Sequence, residues 1–224
     1  MPAWFSTVVI LLGLASGLLA KPAADYSVKV VSDTAPPKEL AESLRKLLSD
    51  TCIQFYDASE TMVFEFWPSK EIAAKATPVQ VKNGLTYREI PTATVLGACR
   101  LPRTFIDYRK QRIQPGVYTL RLAIQPMDGD HMGTAPYTDF ALLCPAADDR
   151  KPDLMEAKEL RELSAKSTES HPGVLMLFPG KGAGKDPKLV DKGMGHRVLL
   201  FQVPAVASEE KALLDIGLTL VGAS

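Results

Sequence analysis

The sequence predicts a mostly β protein, an antiparallel β-sandwich of about nine strands with one or two helical insertions. Three observations predict it. Short apolar runs rich in Val, Leu, Ile and Phe recur along the chain, bounded by Gly, Pro or polar clusters. Helical spacing of apolar residues is confined to two longer segments. Strands and helices do not alternate in the way that parallel βαβ units require.

The chain opens on "MPAWFSTVVILLGLASGLLA", apolar from Trp4 to Leu19 and followed by Lys21 and Pro22. That is the pattern of a signal peptide over residues 1–20, cleaved after Ala20. It has no basic residue before the apolar run, and an uncleaved anchor of about 16–17 residues is the alternative. No Cys follows the run, which argues against a bacterial lipid anchor. Residues 21–224 are then a single exported domain, periplasmic or extracellular. No later segment is apolar for long enough to span a bilayer.

"YSVKVVS" (26–32) alternates and reads as a strand. In "APPKELAESLRKLLSD" (35–50), Leu40, Leu44, Leu47 and Leu48 share one helical face, which predicts an amphipathic helix of about three turns. "TCIQFYD" and "TMVFEFWP" form a hairpin, with Met62, Phe64 and Phe66 on one face. Residues 69–84 are short helix or loop. "LTYREIP" and "ATVLGACRLP" read as strands, and "IDYRKQRI" as a charged edge or exposed connection. "IQPGVYTLRLAIQP" (113–126) turns at Pro115-Gly116, then lines one face with Tyr118, Leu120, Leu122 and Ile124. "DFALLCP" (139–145) is its partner. Residues 149–168 carry a helix through Leu154, Ala157, Leu160, Leu163 and Ser164, with Asp153 as its cap. "GVLMLFP" and "HRVLLFQVP" are buried strands joined by a solvated loop, and "LLDIGLTLVGAS" is the last strand.

Lys+Arg and Asp+Glu are equal at 26 each, and none lies in residues 1–20, so the exported part is also formally neutral. With no basic run there is no electrostatic footprint for nucleic acid or an anionic membrane surface. The three cysteines, Cys52, Cys99 and Cys144, each lie in or beside an expected strand, and none forms a C-x-x-C pair. They read as buried thiols, with a Cys99–Cys144 bridge as the alternative.

The stretch with the most chemistry is "PMDGDHMGTAPYTDF" (126–140). Asp128, Asp130 and Gly133 fall where a calcium loop places its first, third and sixth residues, and Asp139 falls on the twelfth. Met132 stands where Asp or Asn belongs, and strands flank the loop rather than helices. His131 between Met127 and Met132 suits copper instead. The candidate metal ligands are therefore Asp128, Asp130, His131 and Asp139, for a divalent ion. A hydrogen-bonded turn between two strands explains the same residues without a metal. His131, His171 and His196 all lie at expected strand ends, where loops of a sandwich converge.

Other chemistry is weaker. "PGKGAGK" (179–185) does not match a phosphate loop, since its glycines, lysine and hydroxyl are out of register. No G-x-S-x-G elbow occurs. A hydrolase would rest on His131 as general base, oriented by Asp128 or Asp130. A carbohydrate- or protein-binding module would use exposed aromatics, and Trp67 and Tyr137 are the candidate ligand-binding residues.

"PGVYTLRLAIQPMDGDHMGTAPYTDFALL" and "SHPGVLMLFP" resemble a group of exported bacterial β-sandwich proteins, and the likeness runs over roughly residues 60–220. The resemblance implies export and a sandwich fold, and it brings no activity with it. The expectation is an exported ligand-binding or accessory protein with a small ligand or a protein as partner.

Overall fold

The structure, a computed structural model, describes residues 26–126, 135–168, 170–207 and 209–223. The described residues form thirteen strands and three α-helices, so the protein is mostly β. Edge strand β1 (Ser27–Val31) leads through the short helix α1 (Glu42–Arg45) to β2 (Cys52–Tyr56), its antiparallel partner. β2 turns into β3 (Met62–Pro68) as the expected hairpin. Asp57 makes that turn. One carboxylate oxygen accepts the Ser59 and Thr61 amides, each at 3.0 Å, and Arg103 binds the other. β4 (Ile72–Ala74), α2 (Pro78–Asn83), a 3-10 turn (Tyr87–Glu89) and β5 (Val95–Leu101) follow. β6 (Phe105–Ile106) and β7 (Arg112–Ile113) form a separate small hairpin. Next come β8 (Gly116–Ile124), β9 (Asp139–Pro145), α3 (Ala157–Ala165), β10 (Gly173–Pro179), β11 (Lys188–Asp191), β12 (Arg197–Ala207) and β13 (Glu210–Val221).

Ten strands are hydrogen bonded in one row, β1-β2-β3-β5-β8-β9-β10-β13-β12-β11, and β4 lies parallel beside the end of β12. The row curls, and β1 at one end comes back against β11 at the other. β10 changes partner along its length: residues 173–176 pair with β9 and residues 177–179 with β13. At this exchange the Tyr87 hydroxyl stands between the two ladders. It donates to the Phe178 carbonyl at 2.7 Å and accepts the Gly217 amide at 2.9 Å. Gly217 is needed there, because a Cβ would meet the Phe178 carbonyl oxygen at 2.8 Å.

Period-two alternation sorts the strands' side chains onto two faces. Tyr118, Leu120 and Leu122 of β8 enter the main core inside the curl, where Phe66 meets Phe201 edge-on at 5.1 Å. Ala123, Phe140, Leu142 and Cys144 face outward into a second cluster that includes Leu160 of α3. Leu40, Leu44 and Leu48 cover a third, which holds Trp67.

Several local expectations are corrected. The three-turn helix over 35–50 shrinks to one turn. Its N-terminus has no side-chain cap, and the backbone beyond it pairs instead with the end of β3, Ser49 N–H bonding Pro68 O at 2.8 Å. α3 starts at Ala157 rather than at an Asp153 cap, and Leu154 is 54 % exposed. "LTYREIP" is not a strand, because Thr86 and Glu89 close a reciprocal capping box around a 3-10 turn. The loop after β10 contains β11, zipped onto β12. All three cysteines are free and buried, and burial pushes the Cys52 thiol up to about 12. Cys99 and Cys144 sit on β5 and β9 with β8 between them, and on opposite faces of the sheet. Two strand spacings are roughly 9–10 Å, beyond the reach of a disulfide.

Candidate functional site

The outward face of β8, β9 and β10 carries a cavity of about 600 Å³. Its floor is Ala123, Phe140, Leu142 and Val174, all buried and apolar. Five polar side chains are among its described lining: Tyr108, Arg109, Gln125, Arg161 and His171. Pro126 and Ala135, which flank residues 127–134, form part of its lip.

Tyr108, Arg109 and Arg161 stand on backbone that identifiable local devices hold. Tyr108 and Arg109 lie in the turn between β6 and β7, and Asp107 builds that turn. One oxygen of its carboxylate accepts the Arg109 amide at 2.9 Å and the Gln111 amide at 2.8 Å. The other accepts the Gln111 side chain at 2.8 Å and the Val174 amide at 3.0 Å. The Tyr108 amide donates to the Val174 carbonyl at 3.0 Å. The turn is thereby fastened to the start of β10. Burial raises the Asp107 carboxyl above its ordinary range, and the backbone donors oppose that shift.

Arg161 is set by the seating of α3. Three residues on, the buried Ser164 hydroxyl shares its proton between the Leu143 carbonyl at 2.8 Å and the Gly173 carbonyl at 3.2 Å. The segment ahead of α3 is held by a buried ion pair. Arg121, 0 % exposed, grips the Asp149 carboxylate through two nitrogens at 2.7 and 2.8 Å. Its remaining donors go to the carbonyls of Ala93, Lys151 and Asp153, and Thr119 donates to the same carboxylate. This pair is saturated within the fold and leaves no charge for a ligand.

The cavity's own cations are different. Neither Arg109 nor Arg161 has an ion pair among the described residues, and no carboxylate is among the described residues lining the cavity. The Tyr108 hydroxyl is likewise without a hydrogen bond among the described residues. Burial raises its pKa, so it stays a neutral donor. The Tyr108 ring stacks on His196 with centroids 5.9 Å apart. Thus two of the three histidines reach this region, His171 on the cavity wall and His196 behind Tyr108. The His196 ring is buried, with Nδ1 bonded to the Gly193 carbonyl at 3.1 Å and Nε2 without a partner among the described residues.

The residues singled out in the sequence fare unequally. Asp128, Asp130 and His131 lie outside the described residues. Asp139 opens β9 opposite Ile124, on the face shared by Ala141 and Leu143, not on the face of the cavity floor. Burial raises its carboxyl, and nearby Arg88 opposes that. Among the described residues no three His, Cys, Asp or Glu side chains form a metal-holding group. Tyr137 packs on Phe178 at 5.0 Å, outside the cavity lining. Trp67 is 1 % exposed and gives its indole N–H to the Thr34 carbonyl at 2.8 Å. It sits on β3, two strands removed from β8 and β9's cavity face, so Trp67 and Tyr137 do not come together. Arg109 falls in "IDYRKQRI", which reads as a charged edge or exposed connection, and Arg161 falls among the polar positions of the helix expected over 149–168. The available signal was Asp107 followed four residues later by Gln111, a turn whose carboxylate gathers amides. Compared with protein families, with curated proteins and with solved structures, the chain matches none.

Proposed function

We propose that this is an exported ligand-binding protein whose site is the cavity over β8, β9 and β10. One observation carries the reading: an apolar floor lies beneath Tyr108, Arg109 and Arg161, whose side-chain donors have no partner among the described residues. A binding site of a few hundred cubic ångströms has this composition, with the floor supplying affinity and the polar groups orientation. Asp107, Gln111 and Ser164 hold those groups on ordered backbone, which supports binding to a preformed site. The curled sheet is read as the two leaves of a sandwich joined through β10, and export as the role of residues 1–20.

The test is uptake of a neutral fluorescent probe, N-phenyl-1-naphthylamine, by the purified protein. One-to-one uptake is expected, lost in Ala135→Trp, which places a large ring on the lip. Uptake that survives this substitution sinks the assignment of the site. The divalent metal expected of Asp128, Asp130, His131 and Asp139 is a separate proposal, resting on sequence spacing. Calcium or copper that raises the melting point, reversed by chelator and lost in Asp128→Ala, supports it; an unchanged melting point sinks it.

A further inference from the structure

We infer that the cavity takes an anion with an apolar body, of the class of a medium-chain carboxylate. This rests on the cavity being the binding site. The charge of its wall selects the head of the ligand. Arg109 comes from the β6–β7 turn and Arg161 from α3, and both line one cavity with no carboxylate among its described lining. The two carboxylates built into the surrounding framework are already engaged: Asp107 by four N–H donors, Asp149 by Arg121 and Thr119. Two cationic side chains line one volume, and an anion there gains charge-assisted hydrogen bonds from them. A cationic ligand meets like charge instead.

The head chemistry follows from the donors. A guanidinium offers parallel N–H groups that match the two oxygens of a carboxylate. Tyr108, also in the lining, carries a hydroxyl that is a further neutral donor. The floor selects the body. Ala123, Phe140, Leu142 and Val174 present no side-chain polar atom, so a sugar's hydroxyls would lose their water without replacement. A bare oxyanion such as phosphate would leave the floor wet and unused. An alkyl or aryl chain covers it, and affinity rises with each methylene buried.

The experiment is displacement of N-phenyl-1-naphthylamine by three ligands with one chain length: decanoate, decanol and decyltrimethylammonium. Decanoate is expected to bind about tenfold more tightly than decanol, the scale of one charge-assisted pair, with the cation weakest. Arg109→Gln and Arg161→Gln should each weaken decanoate several-fold and leave decanol unchanged. Both side chains are exposed, so the folds should survive, and melting curves check this. Probe uptake blocked by Ala135→Trp, together with equal affinity for decanoate and decanol, overturns the anion class and leaves the cavity standing. Decanoate binding indifferent to both arginine substitutions does the same. Inorganic phosphate displacing decanoate at equal concentration overturns the apolar body. Failure of both probe and decanoate to bind overturns the cavity reading itself.

Discussion

Arg121 carries five N–H donors, and the fold supplies an acceptor for each. That completeness lets a guanidinium sit at zero exposure beneath a β-sheet face. Removing it strands the Asp149 charge. Arg121→Met should therefore cost about 3–5 kcal/mol in urea unfolding, and adding Asp149→Leu should recover much of the loss. A double variant no better than the single would show that the carbonyl contacts matter more than the charge. Asp57 gives the second residue-scale prediction. The Ser59 hydroxyl and the Thr61 amide, with Arg103, hold its carboxyl well below the usual range. A folded value below the unfolded one means stability that is complete at neutral pH and fades as acid protonates the folded group. The melting-point gap between wild type and Asp57→Asn should narrow as pH falls through and below the ordinary carboxylate range. A gap constant to pH 2.5 refutes the linkage. Neither residue was readable in advance. Alternation places Arg121 outward, but its partners lie 28 to 32 residues away along the chain.

At the scale of elements, local chemistry and tertiary pairing compete, and the outcome differs by segment. β8 and β9 stand where alternation puts them, because apolar side chains pack on both faces. The segment 35–50 keeps its buried leucines but not its helix, since pairing of residues 48–49 with the end of β3 outcompetes uncapped helical turns. Thr86 with Glu89 forms a capping box that marks a 3-10 turn where a strand was expected, and Thr77 with Gln80 forms one that marks α2 within the short helix or loop expected over 69–84. Tyr87 follows directly from such a box and arrives at the strand exchange. Tyr87→Phe keeps the ring and deletes a hydroxyl that satisfies two buried backbone groups. It should cost about 1–3 kcal/mol in denaturant unfolding, without changing the denaturant slope. A neutral result would mean that Phe178 and Gly217 close the ladder unaided.

For the whole molecule, composition and pattern announced a β protein, and the alternating strands were placed closely. The single curled row was hidden, because register between distant strands is decided by side chains that meet only after the chain has folded. The candidate site was hidden for the same reason. Its floor was legible as buried strand positions, while its wall comes from a turn, a helix and the approach to β10, joined by Asp107, Gln111 and Ser164. The aspartates and histidine of 127–134 lie outside the described residues, and Arg109 and Arg161 stand in segments whose charge reads as a solvated surface.

β10 belongs to both halves of the row, and Val174 on its first half is cavity floor. A strand hydrogen bonded to β9 over one half and to β13 over the other couples the two halves of the row. A ligand in the proposed site would hold this strand, and β13, which pairs with residues 177–179 and contributes no residue to the described cavity lining, would then open to solvent less often. Its amides should exchange their hydrogens more slowly in the occupied protein than in the empty one, by the factor that mass action sets.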